Sequence, residues 1–202
     1  MIGRVTTAAL LSVLLVGCAS PPARFYTLSA DLPPGAQAPR ISVVDGPFSS
    51  PAQVDRPQMV LSEGPNPVRL DESYRWASPL ADAIAAVVAE NLASLLGTPR
   101  VTLFPDRING DTAYSVALEV QQFVSEPGIA INLSAVWTVR RAADGRTETG
   151  RTRVREAVTG PGYEDLAAAH SRALAAMSRE IADTLEALSN RGSAPGGASP
   201  PR

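Results

Sequence analysis

Lysine is absent from these 202 residues, cysteine and histidine occur once each, and aromatic residues make up only 5% of the chain. All 18 basic residues are therefore arginine, and 20 acidic ones leave a formal charge of −2. No basic stretch stands out, so the chain lacks the electrostatic footprint of a nucleic-acid binder. A single cysteine excludes an intramolecular disulfide, and stability must come from packing. One imidazole and one thiol give no Cys/His ligand set, so no metal site is expected. A conventional triad would rest wholly on His170. The sequence signals neither a nucleophile nor an orienting acid for it, so no catalytic residue is assigned and no enzyme is expected. Nor is there an apolar run of the roughly 20 residues that a membrane-spanning helix needs.

What stands near the beginning is a short leader. Met1-Ile2-Gly3-Arg4 supplies a positive start and Thr6 to Val16 an apolar core of signal-peptide length. Leu15-Val16-Gly17-Cys18 follows, with small Gly17 directly before the lone cysteine. This segment resembles the lipobox of bacterial lipoproteins; an ordinary signal peptide with an incidental cysteine is the plainer reading. The resemblance implies that Leu15, Val16 and Gly17 are read by the signal peptidase. The Cys18 thiol would take a diacylglyceryl group and its freed amine an acyl chain such as palmitate. These groups are covalent, and no dissociable cofactor is expected. Each buried CH₂ contributes about 0.8 kcal/mol, so one chain holds marginally and two or more hold stably.

Cleavage before Cys18 removes one arginine and no acid, leaving 17 basic and 20 acidic residues and a charge of −3. The remainder is long enough for one domain with a real core. The expected organisation is a signal peptide over 1–17, a lipidated tether over 18–24, a domain over 25–188 and a disordered tail over 189–202. The tether contains Pro21 and Pro22 and spans at most about 20 Å between Cys18 and Arg24. The tail is Gly, Pro, Ser and Ala without a large apolar residue.

Within the domain, Phe25 to Leu28, Ile41 to Val44, Gln58 to Leu61 and Val68 to Leu70 read as short strands. Tyr114, Val116, Leu118 and Val120 alternate with polar or small residues, as do Ile129 to Val139, so each strand is covered on one side. Asp144-Gly145 turns the chain into a third strand from Thr147 to about Val158, with Arg151, Arg153 and Arg155 on one side. Two amphipathic helices are signalled. The first has Ser78 as cap, Pro79 at the first helical position and Gly97 at the end, with a stripe through Leu80, Ile84, Val88 and Leu92. The second follows Gly160-Pro161-Gly162, has Glu164 and Asp165 in its first turn, and carries a stripe through Leu166, His170, Leu174, Met177, Ile181 and Leu185. A two-layer α+β domain follows, a mainly antiparallel sheet packed against two amphipathic helices.

Three short segments resemble one family. Phe25-Tyr26-Thr27-Leu28 just after the cysteine, Asp55-Arg56-Pro57-Gln58-Met59-Val60, and Arg75-Trp76-Ala77-Ser78-Pro79-Leu80 are similar in type and order to the ABC-type transport auxiliary lipoproteins, the PqiC-like group. Pro51-Ala52-Gln53-Val54 departs from that pattern, lacking the expected aromatic or leucine. The resemblance implies a periplasm-facing outer-membrane lipoprotein of a Gram-negative envelope, an accessory to an MCE-type system that moves lipids between membranes. Its implied partners are an MCE-domain periplasmic transporter subunit, the outer membrane through the lipid anchor, and other copies of itself in a homo-oligomer, with envelope integrity as the outcome. Ala19 agrees with the outer membrane, since Asp after the lipidated cysteine is the usual inner-membrane signal. A periplasmic lipid-binding carrier lipoprotein is the alternative.

Arg56, Pro57, Gln58, Arg75 and Trp76 are the candidate partner interface. Pro57 suits the start of an edge strand that a partner extends, and Trp with Arg is a frequent hot-spot pair. Trp76 equally suits a staple packed on the first helix. His170 reads as a partly buried structural imidazole, and the arginines at 151, 153 and 155 as a solvated strand face or one that meets anionic groups. Arg179, Glu180 and Asp183 read as a polar helix surface.

Overall fold

A computed structural model describes residues 22–30, 32–33, 43–103 and 113–192; the leader and Leu15 to Cys18 lie outside them. Eight strands form one sheet: β1 (Arg24–Tyr26), β2 (Val43–Ser49), β3 (Gln58–Ser62), β4 (Val68–Trp76), β5 (Val101–Leu103), β6 (Tyr114–Glu126), β7 (Ala130–Arg141) and β8 (Thr147–Ala157). Two helices among the described residues, α1 (Leu80–Leu95) and α2 (Tyr163–Gly192), form the second layer of the α+β fold.

The long ladders are antiparallel. β6 runs beside β7 from Tyr114↔Arg141 to Glu126↔Ala130, and β7 beside β8 from Ala130↔Ala157 to Arg140↔Thr147. The shorter pairings are mixed: β3–β4 is antiparallel, whereas β1–β4, β2–β5, β2–β6 and β3–β6 are parallel. The sheet therefore forks. One side of β6 pairs with β7 along its length, while the other pairs with β2 as far as Glu119 and with β3 at Ser125. A β-bulge between Val120 and Gln122 marks the division, since an extra residue bends the strand there.

Both helices cover the same face. α2 lies along β7 and β8 and against α1, while α1 sits over β2 and β5. Every stripe residue named above from Leu166 to Leu185 is buried, as are Leu80, Ile84, Val88 and Leu92 of α1. They meet Val116, Leu118, Val120, Leu133, Trp137 and Val139 from the alternating strands. Burying side chains of this size contributes about 1.5–3 kcal/mol each, which is why the pattern in sequence maps so directly onto the core.

Several local details differ from expectation. Pro79, not Ser78, is the residue preceding the first helical turn of α1, and no side chain of its own cap closes the helix. Asp55 reaches in from the β2–β3 loop instead, its Oδ1 accepting from the Ala81 N–H at 3.4 Å. Gly97 does end the helix region in left-handed geometry, φ 58°, as glycine alone does without strain. β3 lies between β4 and β6 in strand order but meets β6 at Leu61↔Ser125 alone, so beside Pro57 it is paired on its β4 side among the described residues. The Pro57 carbonyl accepts from Trp76 N–H at 2.7 Å and is already used. The second helix continues to Gly192, past Leu188, and Arg141 Nη1 donates to Leu188 O while Arg191 reaches Glu148.

Candidate functional site

Because both described helices lie on one side, the opposite face of the sheet is bare of helices among the described residues, and strand register dictates what it shows. Across β8, β7 and β6 the rows read Arg155–Asn132–Val124, Arg153–Ser134–Gln122, Arg151–Val136–Glu119 and Thr147–Arg140–Ser115. Arg155 is held by Glu126 through two 2.7 Å contacts, and Asn132 Nδ2 donates to the same carboxylate at 2.6 Å. Hydrogen bonding to Arg155, then to Asn132, keeps the Glu126 carboxyl below the usual range. Arg140, Arg151 and Arg153 make no ion pair among the described residues. Among the described residues β8 pairs only with β7, so Arg151 and Arg153 also guard that strand edge against pairing with another chain.

At the fork this face holds a cleft of about 730 Å³. Val60, Val68, Leu70 and Val124 give it apolar walls, with Gln122 and Ser134 on the floor and Arg56 at the rim. Val68 is 59% exposed. Val54, from the segment that departs from the family pattern, is buried and anchors the overlying loop in place of a larger residue.

The five interface candidates separate. Arg56 and Pro57 are exposed, and Gln58 and Arg75 are half-buried. Gln58 Nε2 donates to both Glu72 oxygens at 3.1 Å, and Arg75 Nη2 meets the same carboxylate at 2.7 Å. Phe25 pairs with Arg75 in register and is 63% exposed, so this corner carries an aromatic ring that sequence reasoning left unassigned. Trp76 is not at the surface. It is 5% exposed, edge-on to His170 at 5.5 Å and near Phe123 at 6.5 Å, which corrects its candidacy as an interface anchor. Strand alternation explains it: Arg75 points to the bare face and Trp76 to the core.

His170 is wholly inside the core, deeper than the partly buried position expected. Its Nε2 lies 2.8 Å from Ser125 Oγ, and Nδ1 has no partner. Burial pushes its pKa down to about 3. Serine beside imidazole has the form of a nucleophile and base, but no acid orients the ring and both side chains are sealed from solvent. Among the described residues no group of three or more metal-ligating side chains is found, and no helix is long and apolar enough to cross a membrane.

A second cluster joins β4 to the start of α2. The rings of Tyr74 and Tyr163 stack at 3.6 Å, with Tyr26 at 6.2 Å from each. Tyr163 donates to Asp71 at 2.5 Å, and Arg69 meets the same carboxylate at 2.9 Å. Burial pushes Asp71 up, but the Tyr163 hydroxyl, the Ser73 N–H and Arg69 together outweigh it and hold the carboxyl below its usual value. Burial and then Asp71 push the Tyr163 hydroxyl up to about 12. This ties the tether-proximal strand β1 to the helical layer, and nothing in the sequence spacing announced it.

Comparison with known proteins adds family and fold. The profile of the family described as ABC-type transport auxiliary lipoprotein component matches residues 26–182. A crystal structure of a Xanthomonas campestris protein assigned to DUF330 superposes with a TM-score of 0.69 at 17% identity, covering 84% of this chain and 99% of its own. Another, of an uncharacterised protein, gives 0.66 at 18% identity, covering 82% and 99%. These structural likenesses establish a shared fold. No curated protein matches the chain.

Proposed function

The chain belongs to the ABC-type transport auxiliary lipoprotein components, and from that membership we propose an accessory subunit that positions a transporter. It is fixed to the outer membrane by acyl chains on Cys18, faces the periplasm, and docks the periplasmic MCE-domain subunit of an intermembrane lipid transport system. The carrying observation is the family match over 26–182, placed directly behind the Leu15-Val16-Gly17-Cys18 segment. Its action is mechanical: it holds a partner at a membrane, consistent with membership of a transport-auxiliary family, and needs no catalytic group. Arg56, Pro57, Gln58 and Arg75, with exposed Phe25, form the corner at which we place the partner contact. Ala19 supports the outer membrane over the inner.

The cleft at the fork favours a second reading, a lipoprotein that carries a lipid itself. Its volume and apolar walls lie in the range of small-molecule sites. One experiment separates them. The lipidated protein is purified from native membranes in mild detergent, after inner and outer membranes are resolved by density, and its companions are identified by mass spectrometry. An MCE-domain protein at fixed ratio in the outer-membrane fraction is the expected result. Bound lipid without a protein partner supports the carrier, and recovery from the inner membrane overturns the outer-membrane docking role. Cross-linking of the same sample reads whether the copies associate.

A further inference from the structure

Charge in this molecule is sorted by side. The two helices carry seven acidic residues and three arginines, and their exposed surfaces point away from the sheet. The bare face of β7 and β8 carries Arg140, Arg151, Arg153 and Arg155, and among the described residues only Arg155 of these is paired with an acid. Glu119 is the remaining acid on these rows, two strands from Arg151 and engaged by Gln121 Nε2 at 3.0 Å. A chain of charge −2 thus has an acidic side and a basic side. At the end of the arginine row the β6–β7 turn lifts Ile129 into solvent, 61% exposed.

We infer that the Arg140–Arg151–Arg153 row and Ile129 form a surface that rests on anionic phospholipid headgroups. Guanidinium groups with no ion pair among the described residues are available to phosphates, and the exposed isoleucine at the Arg155 end of the row reaches the boundary where headgroups meet acyl chains. The acidic helix side, repelled by the same surface, turns outward. The inference rests on the lipid-anchor reading of Cys18. Six residues hold β1 within about 20 Å of the bilayer, so the tethered domain repeatedly enters the roughly 8–10 Å over which the surface potential acts. A tether of that length also lets the domain tilt onto β8, at the edge of the sheet farthest from the β1–β4 strands that carry Arg75.

The test uses the lipidated chain in vesicles. Thr149→Cys on β8 and Asp183→Cys on α2 each receive an environment-sensitive fluorophore; acylation removes Cys18 from the labelling. With phosphatidylglycerol in the vesicles, the Thr149 probe shifts to the blue and is quenched by headgroup-level quenchers, while the Asp183 probe stays in water. Phosphatidylcholine alone or high salt abolishes the shift. Adding Arg151→Gln and Arg153→Gln, both exposed, lowers the docked-to-free ratio about 25-fold, roughly fivefold per arginine. An acylated chain whose Thr149 probe stays in water on anionic vesicles overturns the proposal alone and leaves the arginines to an acidic protein partner. Preferential burial of the Asp183 probe also overturns it. An unacylated chain, seen by mass on the same sample, overturns the anchor and the orientation together.

Discussion

Acidifying the protein from about pH 7.5 to about pH 5 tests the core through its one imidazole. Folded, His170 is sealed among Trp76, Phe123 and Ser125, and burial pushes its pKa from 6.5 to about 3. A depressed folded pKa means that the unfolded chain takes up the proton first. The imidazole's contribution is therefore intact above about 6.5 and is lost progressively as the pH falls toward 3. At about pH 5 most unfolded chains carry the proton and almost no folded ones do, a difference worth about 2 kcal/mol. The assay is urea unfolding at both pH values, with wild type set against Ser125→Ala/His170→Leu. The double variant removes the titrating ring and its hydroxyl partner together, so no polar atom is orphaned. Carboxylates such as Asp71 and Glu126 titrate alike in both proteins and cancel. Wild type should lose about 2 kcal/mol more than the variant between the two pH values. Equal losses would refute the reasoning, because a ring that gains its proton equally well when folded is not sealed.

Gly150→Ala should destabilise by about 1–3 kcal/mol or more, since the new Cβ would stand 2.1 Å from the Trp137 ring; thermal melting together with Trp fluorescence reads both the loss and the displaced indole. Trp76→Ala should cost about 3–5 kcal/mol as a core truncation. Arg75→Ala, which removes an exposed pairing with Glu72, should cost less than about 1 kcal/mol, and the opposite ranking in chemical denaturation would return Trp76 to the surface. Cys18→Ala should move the chain from the membrane pellet to the soluble periplasmic fraction, and continued pelleting at high salt would sink the lipid anchor.

Periodicity carried the sequence reading as far as local spacing reaches. The stripe from Leu166 to Leu185 and the alternation from Tyr114 to Val139 are set by neighbours a turn or two residues away, and those residues are the ones that fill the core. Strand partners are chosen across long stretches of chain. The parallel pairing of β2 with β6, the β5 strand and the fork at Gln122 left no local mark. Trp76 shows the same limit at one residue. Its neighbour Arg75 and the hot-spot statistics of its type pointed outward, but one step along a strand reverses the face, and the register placed the indole against His170. The arginines at 151, 153 and 155 were visible as a row from their spacing alone. What the row faces depended on which side of the sheet the helices took. Gly150 and Thr152 settle that choice from within the same strand: Trp137 lies over the one, donates to the other at 3.0 Å, and Thr152 in turn reaches Glu180 of α2. The helix side of β8 is thus fixed by an indole that only glycine can accommodate, and the arginines, alternating with these residues, are left facing away from it.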